Sequence, residues 1–283
     1  MTDNVLDIDG LVVSYPGKGL RRRPVEILHG VSLAIPAGRT LGLVGESGSG
    51  KTTIGRAVLG LAPVTGGTIR FDGRDISRIG RRDRARMARD LQVVFQDPYS
   101  SLNPAMRVGD ILAEPLTIQG VSRRDAATRV RELLDRVGLP ADAADRLPRE
   151  FSGGQRQRIA IARALALRPR LIVCDEPVSA LDLTTQAHVL DLFLQIQQDT
   201  GVSYLFVSHD LDVVRHISHE VAVLYRGDIV ERGPAGEVTT APRHPYTQRL
   251  LLASPLSDPD RQAERRAQRI RLRDARPMTA DAP

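Results

Sequence analysis

Alternating apolar and polar positions mark the first part of the chain, from residue 4 to about residue 97. Such alternation is typical of half-buried β-strands, because successive side chains of a strand point to opposite faces. It predicts strands over residues 5–8, 11–13, 31–35 and 68–71. The apolar run 41–44 predicts a buried strand and residues 53–59 predict a helix, while the pairs Gly66, Gly67 and Asp72, Gly73 predict turns.

The pattern becomes helical between about residue 98 and residue 166. Ile111, Leu112, Leu116 and Ile118 lie near helical spacing, and residues 126–137 predict an amphipathic helix. Gly138 is placed to end that second helix, as glycine often does just past a helix C-terminus. We therefore expect a helical subdomain over about residues 98–166.

Strand patterns return at residues 171–174, 203–207 and 221–224, and residues 184–199 predict a helix between the first two. Alternating strands and helices are typical of a parallel sheet in an α/β fold. Beyond residue 234 the pattern is that of helices interrupted by proline. Residues 257–283 are charged, contain prolines and are poor in aromatic residues, so we expect a mobile tail after a domain over residues 4–256.

Composition limits the kinds of protein to consider. A chain of 283 residues, 41% of them hydrophobic, can bury one large core or two modest ones. The net charge of +6 and the pI of about 10.0 permit nucleic acid, anionic lipid or nucleotide as partners and select none. The single cysteine, Cys174, excludes a disulfide framework within one chain. Without a run of 18 apolar residues or a secretory leader pattern, we expect a cytosolic protein.

The strongest chemical signal is a glycine-rich loop between the predicted strand 41–44 and the helix that follows it. The pattern G-x-x-x-x-G-K-[ST] of phosphate-binding loops is matched by Gly45, Glu46, Ser47, Gly48, Ser49, Gly50, Lys51 and Thr52. Glycines let backbone N–H groups approach phosphate oxygens, and the next helix turns its N-terminus toward the anion. Lys51 can reach the β- and γ-phosphates, and the Thr52 hydroxyl suits Mg²⁺. The chain has only two lysines, Lys18 and Lys51, which indicates that a compact ammonium is needed here.

Two carboxylates, Asp175 and Glu176, follow the buried strand 171–174. In open α/β sheets ligands bind at the carboxyl ends of the strands. Asp175 is placed to hold Mg²⁺, directly or through water, and Glu176 is placed to polarise an attacking water. The alternative is a strand that ends in two solvated acids, and the phosphate-binding loop upstream favours the catalytic interpretation.

A second small-residue turn precedes the helical run that begins near residue 159. Ser152, Gly153, Gly154 and Gln155 form this turn, which would be a second anion site at a helix N-terminus. Ser152 can also cap the helix, with Gln155 three residues on in the position of a capping box. Both roles can hold at once.

In this order and spacing, the motifs resemble the nucleotide-binding subunit of an ATP-binding cassette (ABC) transporter. The resemblance implies a P-loop NTPase ABC cassette with a mixed-sheet core, an antiparallel β edge and an inserted α-helical subdomain. ATP and Mg²⁺ are the implied cofactors. The residues implied to hold nucleotide are Tyr15, the loop residues Gly45 to Thr52 named above, Thr53, Ser152, Gly153, Gly154 and Gln155.

The resemblance also implies individual roles. Tyr15 matches the aromatic residue that stacks on adenine, and the turn at Ser152 matches the signature that contacts the γ-phosphate in the opposite subunit. Gln96 matches the glutamine that senses Mg²⁺ and water, so that Thr52, Gln96 and Asp175 form the metal set. His209 matches the histidine that contacts the γ-phosphate and joins Glu176 and Gln96 in the catalytic set. Residues 179–182 match the loop across the dimer interface.

A narrower resemblance concerns transport. Residues 96–104, 150–159 and the segment 244–247 are similar to the dipeptide, oligopeptide and nickel uptake subfamily. The implied function is an ATP-hydrolysing subunit that powers import of a solute, with peptides expected, by ATP-driven dimerisation of two cassettes. The implied partners are an identical or paralogous second cassette, integral-membrane permease subunits and an external solute-binding protein, with no nucleic acid. The implied location is the cytoplasmic face of the cell membrane, as a peripheral subunit.

The main alternative is a soluble ABC-type ATPase that acts on nucleic acid or ribosomes. Such proteins generally need a long coiled coil, zinc-binding cysteines or two cassettes in one chain, and the sequence has none of these. A cassette that only binds nucleotide is a third possibility. It predicts a damaged Glu176 or His209, and both residues are present.

Overall fold

The computed structural model describes residues 4–17, 23–97 and 101–253. Its strands are β1 Asn4–Tyr15, β2 Val25–Pro36, β3 Thr40–Val44, β4 Val64–Phe71, β5 Arg74–Asp75, β6 Leu91–Val94, β7 Leu171–Asp175, β8 Ser203–Ser208, β9 Glu220–Tyr225 and β10 Asp228–Pro234. Its α-helices are α1 Lys51–Val58, α2 Arg81–Met87, α3 Val108–Ile118, α4 Arg123–Arg136, α5 Gly153–Leu165, α6 Leu183–Thr200, α7 Leu211–Ile217, α8 Ala235–Thr240 and α9 Pro245–Ala253. The expected mobile tail, residues 257–283, lies outside the described residues.

The strands form two sheets. The first is antiparallel, in the order β2-β1-β4-β5, and the second has six strands in the order β10-β9-β3-β8-β7-β6. In the second sheet the neighbours from β9 to β6 run parallel, and β10 adds an antiparallel edge. Strands β3 and β8 are buried at every position, as expected for a sheet covered on both faces. The predicted α/β fold with a mixed-sheet core and an antiparallel β edge is confirmed.

Helices α3, α4 and α5 lie in the predicted helical zone. Their apolar faces, which include Leu112, Leu133 and Ile159, belong to the same buried cluster as the sheet residues Ile172 and Cys174. Ile111, Leu112, Leu116 and Ile118 all lie in α3, but Ile118 is 75% exposed whereas Leu116 is buried. Two residues along a helix correspond to a turn of about 200°, so Ile118 lies on the opposite side of α3 from Leu116.

The predicted turn at Gly66 and Gly67 is wrong. Both glycines lie inside β4, and the register with β1 slips between Asp9 and Val12, which marks a β-bulge. Gly67 has a φ of 74°, and a Cβ there would overlap the carbonyl oxygen of Gly10. The two predicted strands, 5–8 and 11–13, are one continuous strand that passes through this bulge.

None of the helices in the described part of the chain is long and apolar enough to cross a bilayer.

Helix α7 packs closely on strand β3. Gly42 in β3 faces the end of α7, where an added Cβ would lie 3.0 Å from Val214 Cβ and 2.5 Å from Ser218 Oγ. Helix α7 can therefore approach β3 only where the strand carries no side chain.

We expect Gly42→Ala to lower the free energy of unfolding by about 1–3 kcal/mol, because overpacking forces the strand and the helix apart. Urea denaturation of the purified chain measures this change. The matched control is Gly236→Ala in α8, where a Cβ would meet nothing within 4 Å and should be neutral or stabilising. Equal stability of the two variants would contradict the close packing at Gly42.

Candidate functional site

Four adjacent parallel strands, β3, β8, β7 and β6, end at one edge of the six-stranded sheet. The register pairs at this edge are Val44 with Ser208, Val207 with Asp175, and Cys174 with Val94. Because these pairs are level, the residues that follow each strand emerge side by side. The glycine-rich loop follows β3, His209 follows β8, Glu176 follows β7 and Gln96 follows β6. The sheet therefore brings together the predicted phosphate-binding, metal and catalytic groups.

The loop after β3 wraps around the side chain of Lys51. Lys51 is 5% exposed, and its Nζ donates to the carbonyl oxygens of Gly45 at 2.7 Å and Glu46 at 2.9 Å. Burial lowers the pKa of Lys51, and the nearby carboxylates of Glu176 and Asp175 oppose that shift. The ammonium is thus held at the mouth of the glycine-rich loop, where a phosphate group would meet it.

A hairpin turn supports the loop from outside. Arg226 and Gly227 join β9 to β10 with φ values of 50° and 88°, as the tightest hairpins require. The N–H of Gly227 donates to the carbonyl oxygen of Ser49 at 2.9 Å. A side chain on Gly227 would overlap the carbonyl oxygen of Ile27 in β2, so glycine at this position lets the turn pack closely against β2.

Two hard oxygen groups lie together beside the loop. The Thr52 hydroxyl on α1 donates to Oδ1 of Asp175 at 3.0 Å. Burial raises the pKa of Asp175 and the negative charge of Glu176 adds to that rise, while the bond from Thr52 opposes it. A hydroxyl and a carboxylate are suitable ligands for Mg²⁺. Among the described residues, no group of three or more His, Cys, Asp and Glu side chains is arranged to hold a metal ion.

Glu176 is the centre of a second group. Its Oε2 lies 3.1 Å from Nδ1 of His209 and accepts from Nε2 of Gln96 at 3.4 Å. Its backbone has a φ of 48°, a conformation that costs a residue other than glycine of order 1–3 kcal/mol. Bonds from its N–H to Val207 and from Ser179 to its carbonyl oxygen hold it there. Gln96, predicted as a metal ligand, contacts Glu176 in this structure.

The turn at Ser152 forms the predicted capping box. Ser152 Oγ accepts from the N–H of Gln155 at 3.3 Å, and Oε1 of Gln155 accepts from the N–H of Ser152 at 3.0 Å. Gly154 is buried against Thr185, whose methyl group a Cβ there would overlap. Within the described ranges, no hydrogen bond joins this turn to the loop at residues 45–52.

Tyr15 lies elsewhere, at the end of β1 opposite Val25. It is half-buried and packs against the core cluster that contains Leu28, the residue that a Cβ on Gly50 would meet at 2.8 Å.

One contact of the site was missed by sequence reasoning: the N–H of Glu46 donates to the hydroxyl of Tyr246 at 2.9 Å. The two residues are 200 positions apart, so no local pattern could pair them.

Comparison with known proteins gives consistent relatives. The family model described as "ABC transporter" matches residues 28–179. The chain is 49% identical over 278 residues to the glutathione import ATP-binding protein GsiA of Escherichia coli (strain K12), covering 96% of this chain and 44% of that protein. It is 50% identical over 262 residues to the oligopeptide transport ATP-binding protein OppD of Mycobacterium tuberculosis, covering 91% and 43% respectively. The chain thus spans less than half the length of these curated relatives.

Two solved structures share the fold. One is cbiO1 from Clostridium perfringens, part of the ABC transporter complex cbiONQ, with a TM-score of 0.75 and 25% identity over 84% of this chain and 92% of that one. The other is the ATP-binding cassette MJ0796, a dimer in a post-hydrolysis state bound to ADP and Pi. It has a TM-score of 0.72 and 27% identity over 81% of this chain and 98% of that one.

We expect Asp175→Asn to keep the bond from Thr52, since an amide oxygen still accepts, and to remove the charge that attracts a divalent cation. Mg²⁺ should raise the affinity of the unaltered chain for ATP, and this gain should shrink by about tenfold or more in the variant. Calorimetric titrations in Mg²⁺ and in EDTA measure the gain. Asp191→Asn, the same change on the exposed surface of α6, should leave it intact, and an equal loss in both variants would contradict the metal assignment.

Proposed function

Because the chain belongs to the ABC transporter family, we propose that it binds ATP with Mg²⁺ at the sheet edge and hydrolyses it to power import of a solute. The observation that carries the proposal is the convergence of Lys51, Thr52, Asp175, Glu176 and His209 at the ends of three adjacent strands. Phosphoryl transfer asks a protein mainly for positioning and charge neutralisation, and this arrangement supplies both.

The chain's own groups have distinct parts in the reaction. Lys51 and the N–H groups of the loop bind the phosphates, which replace carbonyl oxygens as partners of the ammonium. Thr52, Gln96 and Asp175 are the proposed Mg²⁺ ligands, and the ion would neutralise phosphate charge when bound. Glu176 accepts a proton from the attacking water, and His209 and Gln96 orient its carboxylate.

The site we propose needs two chains. The turn Ser152 to Gln155 has an exposed serine at a helix N-terminus, which suits a γ-phosphate. It has no hydrogen bond to the phosphate-binding loop among the described residues, which supports its acting on nucleotide held by a second cassette. The dimeric state of the related MJ0796 cassette supports the same arrangement. Tyr15 remains our proposed contact to adenine, and residues 179–182 our proposed dimer contact.

The relatives support import as the coupled work. GsiA and OppD are import and transport ATP-binding proteins for glutathione and oligopeptides, so we propose peptides as the solute class here. These names support import rather than action on nucleic acid or ribosomes. The proposed partners are permease subunits in the membrane and an external solute-binding protein, with this chain as a peripheral subunit at the cytoplasmic face. Residues 4–256 form the proposed cassette, with α3 to α5 as its helical subdomain.

Replacing Glu176 with Gln should lower the ATP hydrolysis rate by about 10²-fold or more, because the amide cannot accept the proton from water. Nucleotide binding should remain, and the ATP-bound dimer should become long-lived. Steady-state phosphate release by the purified variant measures the loss. Glu237→Gln, the same change on exposed α8, should keep normal turnover. Near-normal hydrolysis by Glu176→Gln would contradict the assignment of the base.

The two-chain site has its own test. Specific activity should rise with protein concentration, as mass action on a weak dimer requires. Lys51→Ala and Ser152→Arg should each be inactive alone and active when mixed, because in the mixed dimer both lesions fall in one site and the other stays whole. A mixture that remains inactive, together with activity independent of concentration, would show that the turn does not act between chains.

A further inference from the structure

The segment that leads into α9 is joined to the sheet by two hydrogen bonds. The carboxylate of Glu231 on β10 accepts from the N–H of Arg243 at 2.7 Å and from the N–H of His244 at 3.1 Å. The Nδ1 atom of His244 accepts from the N–H of Tyr246 at 3.2 Å. The start of α9 is therefore held in one position relative to β10.

This anchoring buries the ring of Tyr246. The residue is 2% exposed, and its ring lies against that of Tyr225 with centroids 4.2 Å apart and planes at 38°. Burial raises the pKa of the phenol, which keeps the hydroxyl neutral. Contacts on the ring and on the backbone thus determine where the hydroxyl points.

The hydroxyl points at the phosphate-binding loop. It accepts the N–H of Glu46, the second residue of the loop, at 2.9 Å. The carbonyl oxygen of the same Glu46 accepts from Lys51 Nζ at 2.9 Å and from the N–H of Ser49 at 3.2 Å. Residue 46 therefore joins three parts of the site: the C-terminal segment, the lysine and the far side of the loop.

We propose that Tyr246 is a positioning residue that holds the phosphate-binding loop in its binding conformation. The inference deepens the proposed nucleotide site and rests on it. A glycine-rich loop loses much conformational freedom when it closes on a phosphate, and a bond that orders it beforehand reduces this loss. Coupling between two sites is reciprocal, so nucleotide binding would in turn strengthen the attachment of α9.

The chain contains a matched pair of variants for the test. Tyr246→Phe removes the hydroxyl that accepts from the N–H of Glu46 and keeps the ring against Tyr225. Tyr225→Phe makes the same change on the other ring, whose hydroxyl has no hydrogen bond to the loop in the described ranges. We expect Tyr246→Phe to weaken ATP binding about two- to tenfold, the scale of one hydrogen bond, and Tyr225→Phe to leave it unchanged.

A second measurement separates this inference from the proposed function. Hydrogen–deuterium exchange of the Glu46 amide, resolved by NMR without nucleotide, should be several-fold faster in Tyr246→Phe than in Tyr225→Phe or the unaltered chain. Equal exchange rates in all three proteins would overturn the positioning role. If the unaltered chain binds ATP, an equal ATP affinity of Tyr246→Phe would overturn it too. Faster exchange in Tyr246→Phe with no ATP binding by any of the three would support the contact and refute the nucleotide site.

Discussion

The parallel hydrogen-bond register of β3, β8, β7 and β6 is the constraint on which the site depends. Backbone bonds fix how far each strand extends, and the first residues beyond the strands inherit that alignment. Slipping one strand by a single residue would turn its side chains to the opposite faces of the sheet. The side chains of β3 and β8 are buried on both faces of the sheet, so such a slip would break the packing of each side chain against its neighbours. Core packing thereby determines the distance between Thr52 and Asp175.

The charges at this edge depend on one another. Burial lowers the pKa of Lys51 and raises that of Asp175, so each group alone is driven toward its neutral form. The attraction between the ammonium and the carboxylates opposes both shifts. The backbone of Glu176 also depends on its neighbours, because hydrogen bonds to Val207 and Ser179 hold it at its positive φ. The site stores some conformational strain, and the sheet core supplies the stability that sustains it.

Much of this fold follows from local sequence. The apolar runs at 171–174 and 203–207 are strands in the structure, and the helix predicted over 184–199 spans Leu183–Thr200. The phosphate-binding loop and the cap at Ser152 are also readable, because their geometry needs particular residues at fixed spacing. Gly66 and Gly67 misled because a bulge and a turn require the same backbone freedom. The partner strand that distinguishes the two is far away in the sequence.

Contacts between distant segments account for the remainder. The bond between Glu46 and Tyr246 depends on β10, on the anchoring by Glu231 and on the Tyr225 ring, none of which a local pattern encodes. The sequence around residue 244 indicated a subfamily resemblance and gave no partner for its tyrosine. The same applies to Gly227, which lies in the hairpin turn between β9 and β10. Its bond to Ser49 adds a second role that only the folded chain shows.

That bond changes how the hairpin should be regarded in protein engineering. A tight turn between the last two strands of a sheet looks like a natural place to open the chain, and circular permutation succeeds most often at such turns. Here the turn donates Gly227 N–H to the phosphate-binding loop, and its φ values depend on the two strands staying joined. New termini at residues 226–227 would leave the hydrophobic core covered and would free the glycine-rich loop from the bond that Gly227 donates to Ser49. The hairpin and the glycine-rich loop therefore form one structural unit, and a cut in the hairpin would also affect the loop.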